Sequence, residues 1–268
     1  MADKRRTIKT KNKPDELRPI PPNVGVESEY RRKMQKLIKS MQNSVTYWLE
    51  SVYRNNPDMT VVSVKKIQDM LDVLKNRWFG NFDEAAPTLA AGFVAKASKN
   101  LESNMERQLA ERNFGIKFEL TAEMRAIVHA EIVQNVSLIQ SIPSQYFTEV
   151  EGLVMRSVAV GGDLKTLSLE LHKRYGITLD RAGKIAMDQN RKVNAAMKRA
   201  RQLECGITKA IWIHTACRYP RQSHVDYNGK EYDVAEGALI DGKRIWPGSE
   251  INCGCLSKSI MSHQLGNR

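Results

Sequence analysis

Residues 178–215 read TLDRAGKIAMDQNRKVNAAMKRARQLECGITKAIWIHT, and the fold class is decided within them. Up to Glu204 the apolar residues recur at the spacing of an amphipathic helix. Beyond Gly206, residues 210–215 combine Ile, Trp and Thr in the manner of a strand. We therefore predict an α+β fold, in which a mainly helical N-terminal body is followed by a small α+β C-terminal unit with short strands.

Upstream of this stretch the apolar spacing is helical almost throughout. We predict roughly seven or eight helices with short connections. They are expected to be interrupted where Gly or Pro breaks the pattern, near Gly80, Pro87, Pro143 and Gly176. The predicted domains are an extended basic arm at 1–27, a helical body at 28–177 and a C-terminal domain at 178–268.

Local residue types also predict caps and turns. Ser28 and Thr121 are placed to cap two of the helices, because their hydroxyl groups can accept a hydrogen bond from the first turn. In the C-terminal part, tight turns between strands are predicted at Asn228-Gly229, Asp241-Gly242 and Pro247-Gly248.

Composition excludes several classes of protein. The chain has 268 residues, 41% of them hydrophobic, so it is neither collagen-like nor wholly disordered. No apolar stretch approaches the roughly 18 residues that a membrane helix needs, and the N-terminus is too polar for a signal peptide. The four cysteines all lie between Cys205 and Cys255, unlike a secreted disulfide framework. We expect a reducing compartment with free or metal-bound thiols and no association with a membrane.

The positive charge is concentrated in two segments. Lys and Arg number 42 against 30 Asp and Glu, a formal net charge of +12. Residues 1–40 contribute 12 basic and 5 acidic side chains, and residues 181–209 contribute 8 and 2. The excess favours an anionic partner, nucleic acid first and an acidic protein surface second. The Pro-rich arm at 1–27 is expected to become ordered on nucleic acid or on a neighbouring subunit; the alternative is a disordered, solubilising tail.

The helix at 178–204 carries a row of basic side chains, here called the basic helix face. At about 100° per residue these side chains fall within one arc of roughly 120°, opposite an apolar face. Such a row suits non-specific contact with the phosphates of DNA. The alternative is an ordinary solvated helix face, which the presence of Asp188 favours. The predicted DNA-binding residues are Arg181, Lys184, Arg191, Lys192, Lys198 and Arg199.

A cluster of sulfur and imidazole groups is the candidate metal site. Three thiols and one imidazole form a ligand set for a tetrahedral structural zinc ion. The spacing is not that of a zinc ribbon, because Cys253 and Cys255 are separated by one residue and the other cysteine stands apart. The alternative is that the cysteines are free and packed as small apolar groups. The predicted ligands are Cys217, His224, Cys253 and Cys255, with His214 in reserve.

Motifs of catalysis are missing from the sequence. It contains no nucleophile elbow, no phosphate-binding glycine loop and no zinc-protease helix motif. His224 with Cys253 or Cys255 would make a nucleophile and base pair. A structural role is the better interpretation of a histidine in a turn-rich segment, so we predict no catalytic residues and no enzymatic activity.

The C-terminal third resembles the Mu F-type phage head morphogenesis domain of minor head proteins. The resemblance rests on spaced motifs in the same order: a helix of the type R-A-x-x-I-A-x-D-Q at Arg181, a strand with a Trp, R-x-x-H before N-G-K, and a closing P-G-x-x-x-N-C-x-C. The chain departs from the family at Gly254, where an Arg is expected, and at Cys217, where a cysteine is not. The motif residues that we expect to be structural are Trp212, Arg221, His224, Pro247, Gly248, Asn252, Cys253 and Cys255.

This resemblance implies a minor capsid protein of a tailed phage. The expected partners are the portal protein, the major capsid or scaffolding protein, and double-stranded DNA bound without sequence preference. The expected location is the head or portal vertex of the virion, with the host cytoplasm during assembly. The alternative is a zinc-stabilised DNA-binding protein or a nuclease without a structural capsid role.

Overall fold

The structure, a computed structural model, describes residues 16–55, 61–159, 164–216 and 219–261, without the side chains of 61–63. Helices precede strands along the chain, which confirms the predicted α+β class with short C-terminal strands. The elements are α1 (Val24–Asn55), α2 (Val61–Ala110), α3 (Ala122–Ala159), α4 (Leu164–Glu204), β1 (Lys209–Ile213), α5 (Gln222–Asp226), β2 (Glu231–Asp233), β3 (Ala238–Ile240), β4 (Lys243–Ile245) and β5 (Leu256–Ile260).

The helices are longer and fewer than the sequence predicts. Pro87 lies inside α2 and Pro143 inside α3, and Gly80 and Gly176 are also helical. The prediction of breaks at these positions is wrong, because the buried residues on either side, such as Phe82, outweigh the local cost of proline and glycine. Within the described ranges, no helix has the length and apolarity needed to cross a membrane.

Helix starts follow capping chemistry. Thr121 Oγ1 accepts a hydrogen bond of 3.2 Å from the backbone N–H of Met124, so its predicted role as a cap is confirmed. Helix α1 starts earlier than predicted, since Asn23 Oδ1 accepts a 3.1 Å hydrogen bond from the N–H of Val26. Ser28 therefore lies inside the helix and is not its cap.

The chain divides into two compact units. The helical unit comprises residues 23–97 and 125–190. The mixed unit comprises residues up to 22, 98–124 and 191–268. Both names refer only to the described residues of these ranges. The division falls within α4, between Asn190 and Arg191, whereas the sequence pattern predicts a domain boundary at 177/178.

The helical unit buries the apolar stripe of α1 predicted from the sequence. Tyr30 stacks on Phe93 with ring centroids 4.2 Å apart. Its hydroxyl group donates to Asn135 Oδ1 at 3.0 Å, and Asn135 Nδ2 donates to Gln189 Oε1 at 3.1 Å. These buried polar groups are satisfied by one another, which favours a single packing arrangement. The buried apolar residues of α1 include Met34, Ile38, Met41, Val45 and Leu49.

The mixed unit contains two small sheets. One is antiparallel with strand order β2-β1-β5, and the other is the β3-β4 hairpin. The hairpin turn has positive φ angles of 52° at Asp241 and 74° at Gly242, as a tight type I′ turn requires. The predicted turn at these two residues is thereby confirmed. Ala210 and Trp212 of β1 are fully buried and form the core with residues of the other strands.

Residues 16–22 are packed in the mixed unit. Leu17 and Ile20 are buried, and the N–H of Leu17 donates to the carbonyl of Ser259 at 3.0 Å. Lys258 forms a buried ion pair of 2.5 Å with Glu16. This part of the predicted extended arm is therefore ordered against β5, and residues 24–27 belong to α1. Residues 1–15 lie outside the described ranges.

A buried arginine organises the junction of α2 and α4 within the mixed unit. The Arg201 side chain is 2% exposed and pairs with Glu102 and, at 2.5 Å, with Glu204. Its Nη1 also donates to the carbonyl of Glu119 at 2.8 Å, and its guanidinium lies 4.7 Å from the Phe118 ring centre. Each of these contacts compensates part of the cost of burying the charge.

We predict that Arg201→Gln destabilises the protein strongly. Removing the guanidinium leaves two carboxylates without their cation, at a cost of about 3–5 kcal/mol in the free energy of unfolding. The control is Arg54→Gln, which breaks an ion pair whose arginine is 70% exposed and is expected to cost less than about 1 kcal/mol. Denaturant unfolding of both variants checks this; equal losses would contradict it.

Candidate functional site

The candidate site is built on the buried end of β1. Trp212 is fully buried in this strand, and its ring meets that of His224 edge to face at a centroid distance of 5.1 Å. His224 lies in the short helix α5 and is 3% exposed. His214 follows directly after β1. The strand and the helix thus bring two imidazoles to one end of the core.

A turn-rich loop brings two thiols to the same place. It begins at Pro247 and Gly248, continues through Asn252, and enters β5 directly after Cys255. Gly248 has a φ of 86°, and a Cβ on it would lie 3.2 Å from that of Ala195, so glycine is needed there. Cys253 and Cys255 are buried at 3% and 4% exposure.

Three of these side chains have donor atoms close enough to share a ligand, and His214 lies beside one of the three. His224 Nδ1 lies 3.5 Å from Cys253 Sγ and 3.7 Å from Cys255 Sγ. His214 Nδ1 lies 3.6 Å from Cys255 Sγ. The structure therefore brings together three of the four residues named as metal ligands, and it places the histidine held in reserve beside Cys255. Cys217 lies outside the described residues.

Hydrogen bonding shifts the pKa values of the two thiols in opposite directions. The pKa of Cys253 falls to about 5, first because the Cys255 thiol donates to its sulfur, and also because the backbone N–H groups of Cys255 and Gly248 face it. The same hydrogen bond and burial raise the pKa of Cys255. Burial also lowers the pKa of His214. The site therefore offers two sulfurs of unequal acidity beside two imidazoles.

Neighbouring groups enclose the sulfurs. The indole N–H of Trp212 is buried without a conventional hydrogen-bond partner in the described chain, and it faces Cys255 closely enough to lower the pKa of that thiol. Thr215 Oγ1 donates to the carbonyl of Gly254 at 2.7 Å. A Cβ on Gly254 would lie 2.7 Å from this hydroxyl oxygen, which explains the glycine between the two cysteines.

Arg221 holds the outer part of the loop. Its Nη2 donates to the carbonyl of Ile251 at 2.9 Å, and its Nε lies 3.9 Å from a carboxylate oxygen of Glu250. The side chain is 43% exposed, so it acts at the surface of the turn.

The basic helix face is largely occupied by contacts within the protein. Arg191 donates to the carbonyl of Asn252 at 3.0 Å, and Arg181 donates to Ser141 Oγ at 2.9 Å. Arg199 donates to the carbonyl of Ala235 at 2.8 Å and lies 3.8 Å over the ring of Trp246. Lys184 is exposed, and Lys192 is partly exposed.

Lys198 corrects the predicted DNA-binding set. It is 3% exposed, and its Nζ lies 3.8 Å from Met105 Sδ. Burial lowers its pKa to about 8. A side chain enclosed in this way does not reach a phosphate, so the assignment of Lys198 to an exposed basic face is wrong. Helical spacing places it almost opposite the apolar face, and the sequence holds no signal for the packing that covers it.

Gln202 and Trp246 support the site, although no sequence pattern predicts this role for them. Gln202 Nε2 donates to Ser257 Oγ and Ser259 Oγ, each at 2.9 Å, and so joins α4 to β5. Trp246 Nε1 donates to the carbonyl of Val234 at 2.9 Å. Both contacts link residues distant in the chain, and no local pattern marks them.

Comparison with known proteins identifies the region that contains this site. Residues 148–257 match the family described as Phage Mu protein F like protein. A curated protein of Haemophilus influenzae (strain ATCC 51907 / DSM 11121 / KW20 / Rd), described as an uncharacterized protein, is 26% identical over 258 residues. The alignment covers 92% of this chain and 56% of that protein, so the chain spans just over half the relative's length. No solved structure matches the chain.

We predict that Lys198 makes stability depend on pH. Its pKa is about 8 when folded against 10.5 as the ordinary value, so between these pH values the unfolded chain binds more protons. The free energy of unfolding therefore rises with pH across this window, by about 1–3 kcal/mol. Lys198→Met, which keeps the apolar stem, should remove this rise and be more stable at pH 7. Urea unfolding of both proteins at several pH values checks this. If the free energy of unfolding depended on pH in the same way for both proteins, the prediction would be contradicted.

Proposed function

The chain carries a Phage Mu protein F-like region at residues 148–257, and from this premise we propose that it is a minor capsid protein of a tailed phage. In this role it takes part in head morphogenesis, associates with the portal and with the major capsid or scaffolding protein, and contacts double-stranded DNA without sequence preference. The match to this family is the observation that carries the proposal, because it covers the whole Cys and His site and most of the sheet around it. The protein is expected at the portal vertex of the virion and in the host cytoplasm during assembly.

A structural role fits the chemistry of the site. The two thiols and the His224 imidazole are each less than 5% exposed, so a substrate cannot reach them in this fold. A nucleophile and its base need access to the reacting atom as well as mutual contact. We therefore favour a protein without enzymatic activity over a nuclease.

The exposed aromatic residues of α1 are the proposed contact with the portal. Tyr47 is 66% exposed and Trp48 is 44% exposed, and their rings meet edge to face at 5.4 Å. Large aromatic side chains dominate the binding energy of many protein interfaces. Their position near the end of a long helix gives them a rigid support.

Two groups of basic residues are proposed to contact DNA. Residues 1–15 contain six basic and two acidic side chains. On α1, one face carries exposed basic residues at helical spacing, and Lys184 is the exposed member of the basic helix face. Such contacts are electrostatic, so binding should weaken steeply with salt. The exposed basic residues of the α1 face are Arg32, Lys36 and Lys39.

For the portal contact, we expect the full-length protein to co-purify with the portal of the same phage at packaging-like salt. The double variant Tyr47→Ser, Trp48→Ser should weaken this binding by about tenfold or more, since the loss of a central aromatic contact costs about 2 kcal/mol. Val73→Ser, which changes a residue of α2 that is 67% exposed, is the matched control. If the unaltered protein binds neither portal nor capsid, the proposal is overturned.

For DNA, we expect salt-dependent binding of duplexes of unrelated sequence. Replacing Arg32, Lys36 and Lys39 by Gln should lower the affinity and reduce the slope of log K against log salt by about 0.9 for each phosphate that is no longer neutralised. Deletion of residues 2–15 and the single variant Lys184→Gln test the other two groups. The control replaces the exposed Lys65 and Lys66 of α2 by Gln. Unchanged affinity in all three test variants would contradict DNA contact by these residues.

A further inference from the structure

The two histidines and two cysteines at the end of β1 have the donor atoms of a structural metal site. We propose that His214, His224, Cys253 and Cys255 bind one Zn²⁺ in tetrahedral geometry. This proposal goes beyond the head-assembly role and does not depend on it. It also differs from the ligand set expected from the sequence, since His214 takes the place assigned there to Cys217.

The distances between the donor atoms fit a zinc ion. Zn–S bonds of about 2.3 Å and Zn–N bonds of about 2.0–2.1 Å at tetrahedral angles place sulfur and nitrogen about 3.5–3.6 Å apart. Three Nδ1 to Sγ distances in the structure are 3.5, 3.6 and 3.7 Å. The donor atoms of His224, Cys253 and Cys255 also all lie within 4.8 Å of one another. His214 lies outside that group of three, so its side chain must turn toward the other donors for all four to bind one ion.

The donor types select zinc among common metals. Two thiolates and two imidazoles suit Zn²⁺, whereas Mg²⁺ and Ca²⁺ prefer oxygen ligands. Four protein ligands close the coordination sphere, which is the pattern of structural zinc sites, because catalytic sites keep one position open. Binding releases the thiol protons to solvent, so no oxidant or reductant takes part.

Groups around the donors would support the bound metal. The backbone N–H groups of Gly248 and Cys255 face the Cys253 sulfur, and that of Thr215 faces the Cys255 sulfur. The buried indole N–H of Trp212 has no conventional partner within the described chain and points to the same sulfur. Such outer donors stabilise metal thiolates and orient them. An otherwise orphaned buried N–H would thereby gain an acceptor.

The position of the site explains what the metal would do. The four ligands come from the end of β1, from α5 and from the loop that enters β5. None of these segments is long, and β2, β3 and β4 have three residues each. Small units of this kind often gain stability from a structural metal, because ligand binding free energy becomes folding free energy. The zinc would hold the loop and α5 against the sheet.

The first experiment measures metal in the full-length protein purified from zinc-supplemented cells. Elemental analysis should find about one zinc per chain, and Co²⁺ in its place should give the intense visible absorption of tetrahedral cobalt with thiolate charge-transfer bands. Removal of the metal by a chelator should lower the melting temperature. Unaltered protein without stoichiometric zinc and without the cobalt spectrum, or with Cys253 and Cys255 joined in a disulfide, would overturn the proposal.

Variants then test the ligands individually. Stoichiometric zinc should be lost in three variants, Cys253→Ser, Cys255→Ser and His224→Ala. Loss of zinc from one of them counts as evidence only if circular dichroism shows that the variant is folded. His214 is partly exposed, so His214→Ala is the variant expected to stay folded. It should weaken zinc affinity by more than the roughly 10- to 100-fold that loss of an outer partner costs, and should change the cobalt spectrum.

Matched controls distinguish the effect of removing a zinc ligand from the effect of removing any other cysteine or histidine. Cys205→Ser removes a buried free cysteine of the same unit, and His129→Ala removes an exposed histidine of α3. Both should keep full zinc content, as should Cys217→Ser. Loss of zinc from Cys217→Ser with retention in His214→Ala would overturn the four-residue assignment. Because metal content is read directly, failure here is distinguishable from failure to bind the portal.

Discussion

The mixed unit depends on polar side chains of α4 that satisfy backbone and side-chain groups of the segments around it. Arg191 donates to the carbonyl of Asn252, Arg199 to that of Ala235 and Arg201 to that of Glu119. Gln202 reaches two serines of β5. Carbonyl groups in short loops have few partners in regular structure, and side-chain donors that reach them fix the position of these loops. One helix therefore supplies the hydrogen bonds that the short strands and turns cannot supply for themselves.

Because several basic side chains of α4 make contacts within the protein, the positive charge of this helix does not by itself indicate a nucleic-acid-binding surface. The excess of basic residues at 181–209 is the strongest sign of a nucleic-acid partner in the sequence. In the fold, Lys198 is buried and Arg201 neutralises two carboxylates. Of the six basic residues assigned to the basic helix face, Lys184 is exposed, and α1 carries further exposed basic residues at Arg32, Lys36 and Lys39. Net charge along a segment therefore overstates the binding surface when arginines act as internal hydrogen-bond donors.

The Cys and His cluster is held mainly by groups outside α4. These are the Gly248 and Gly254 backbone, the Thr215 hydroxyl group and the aromatic ring of Trp212. A metal ion at this site would hold the loop at Cys253. Arg191 of α4 holds the same loop at the carbonyl of Asn252. This explains how a loop rich in turns can be well packed without long strands.

The sequence by itself determined the features that depend on neighbouring residues. These are the α+β order, strand β1, the cap at Thr121 and the turn at Asp241-Gly242, because hydroxyl capping and positive φ are local properties. The motif residues from Trp212 to Cys255 also lie within residues 148–257, which match the Phage Mu protein F like model. Only the tertiary structure decided the length of the helices through Pro87 and Pro143, the burial of Lys198 and the joining of His214 to Cys255. These outcomes depend on packing between segments distant in the chain, for which single-sequence periodicity holds no information.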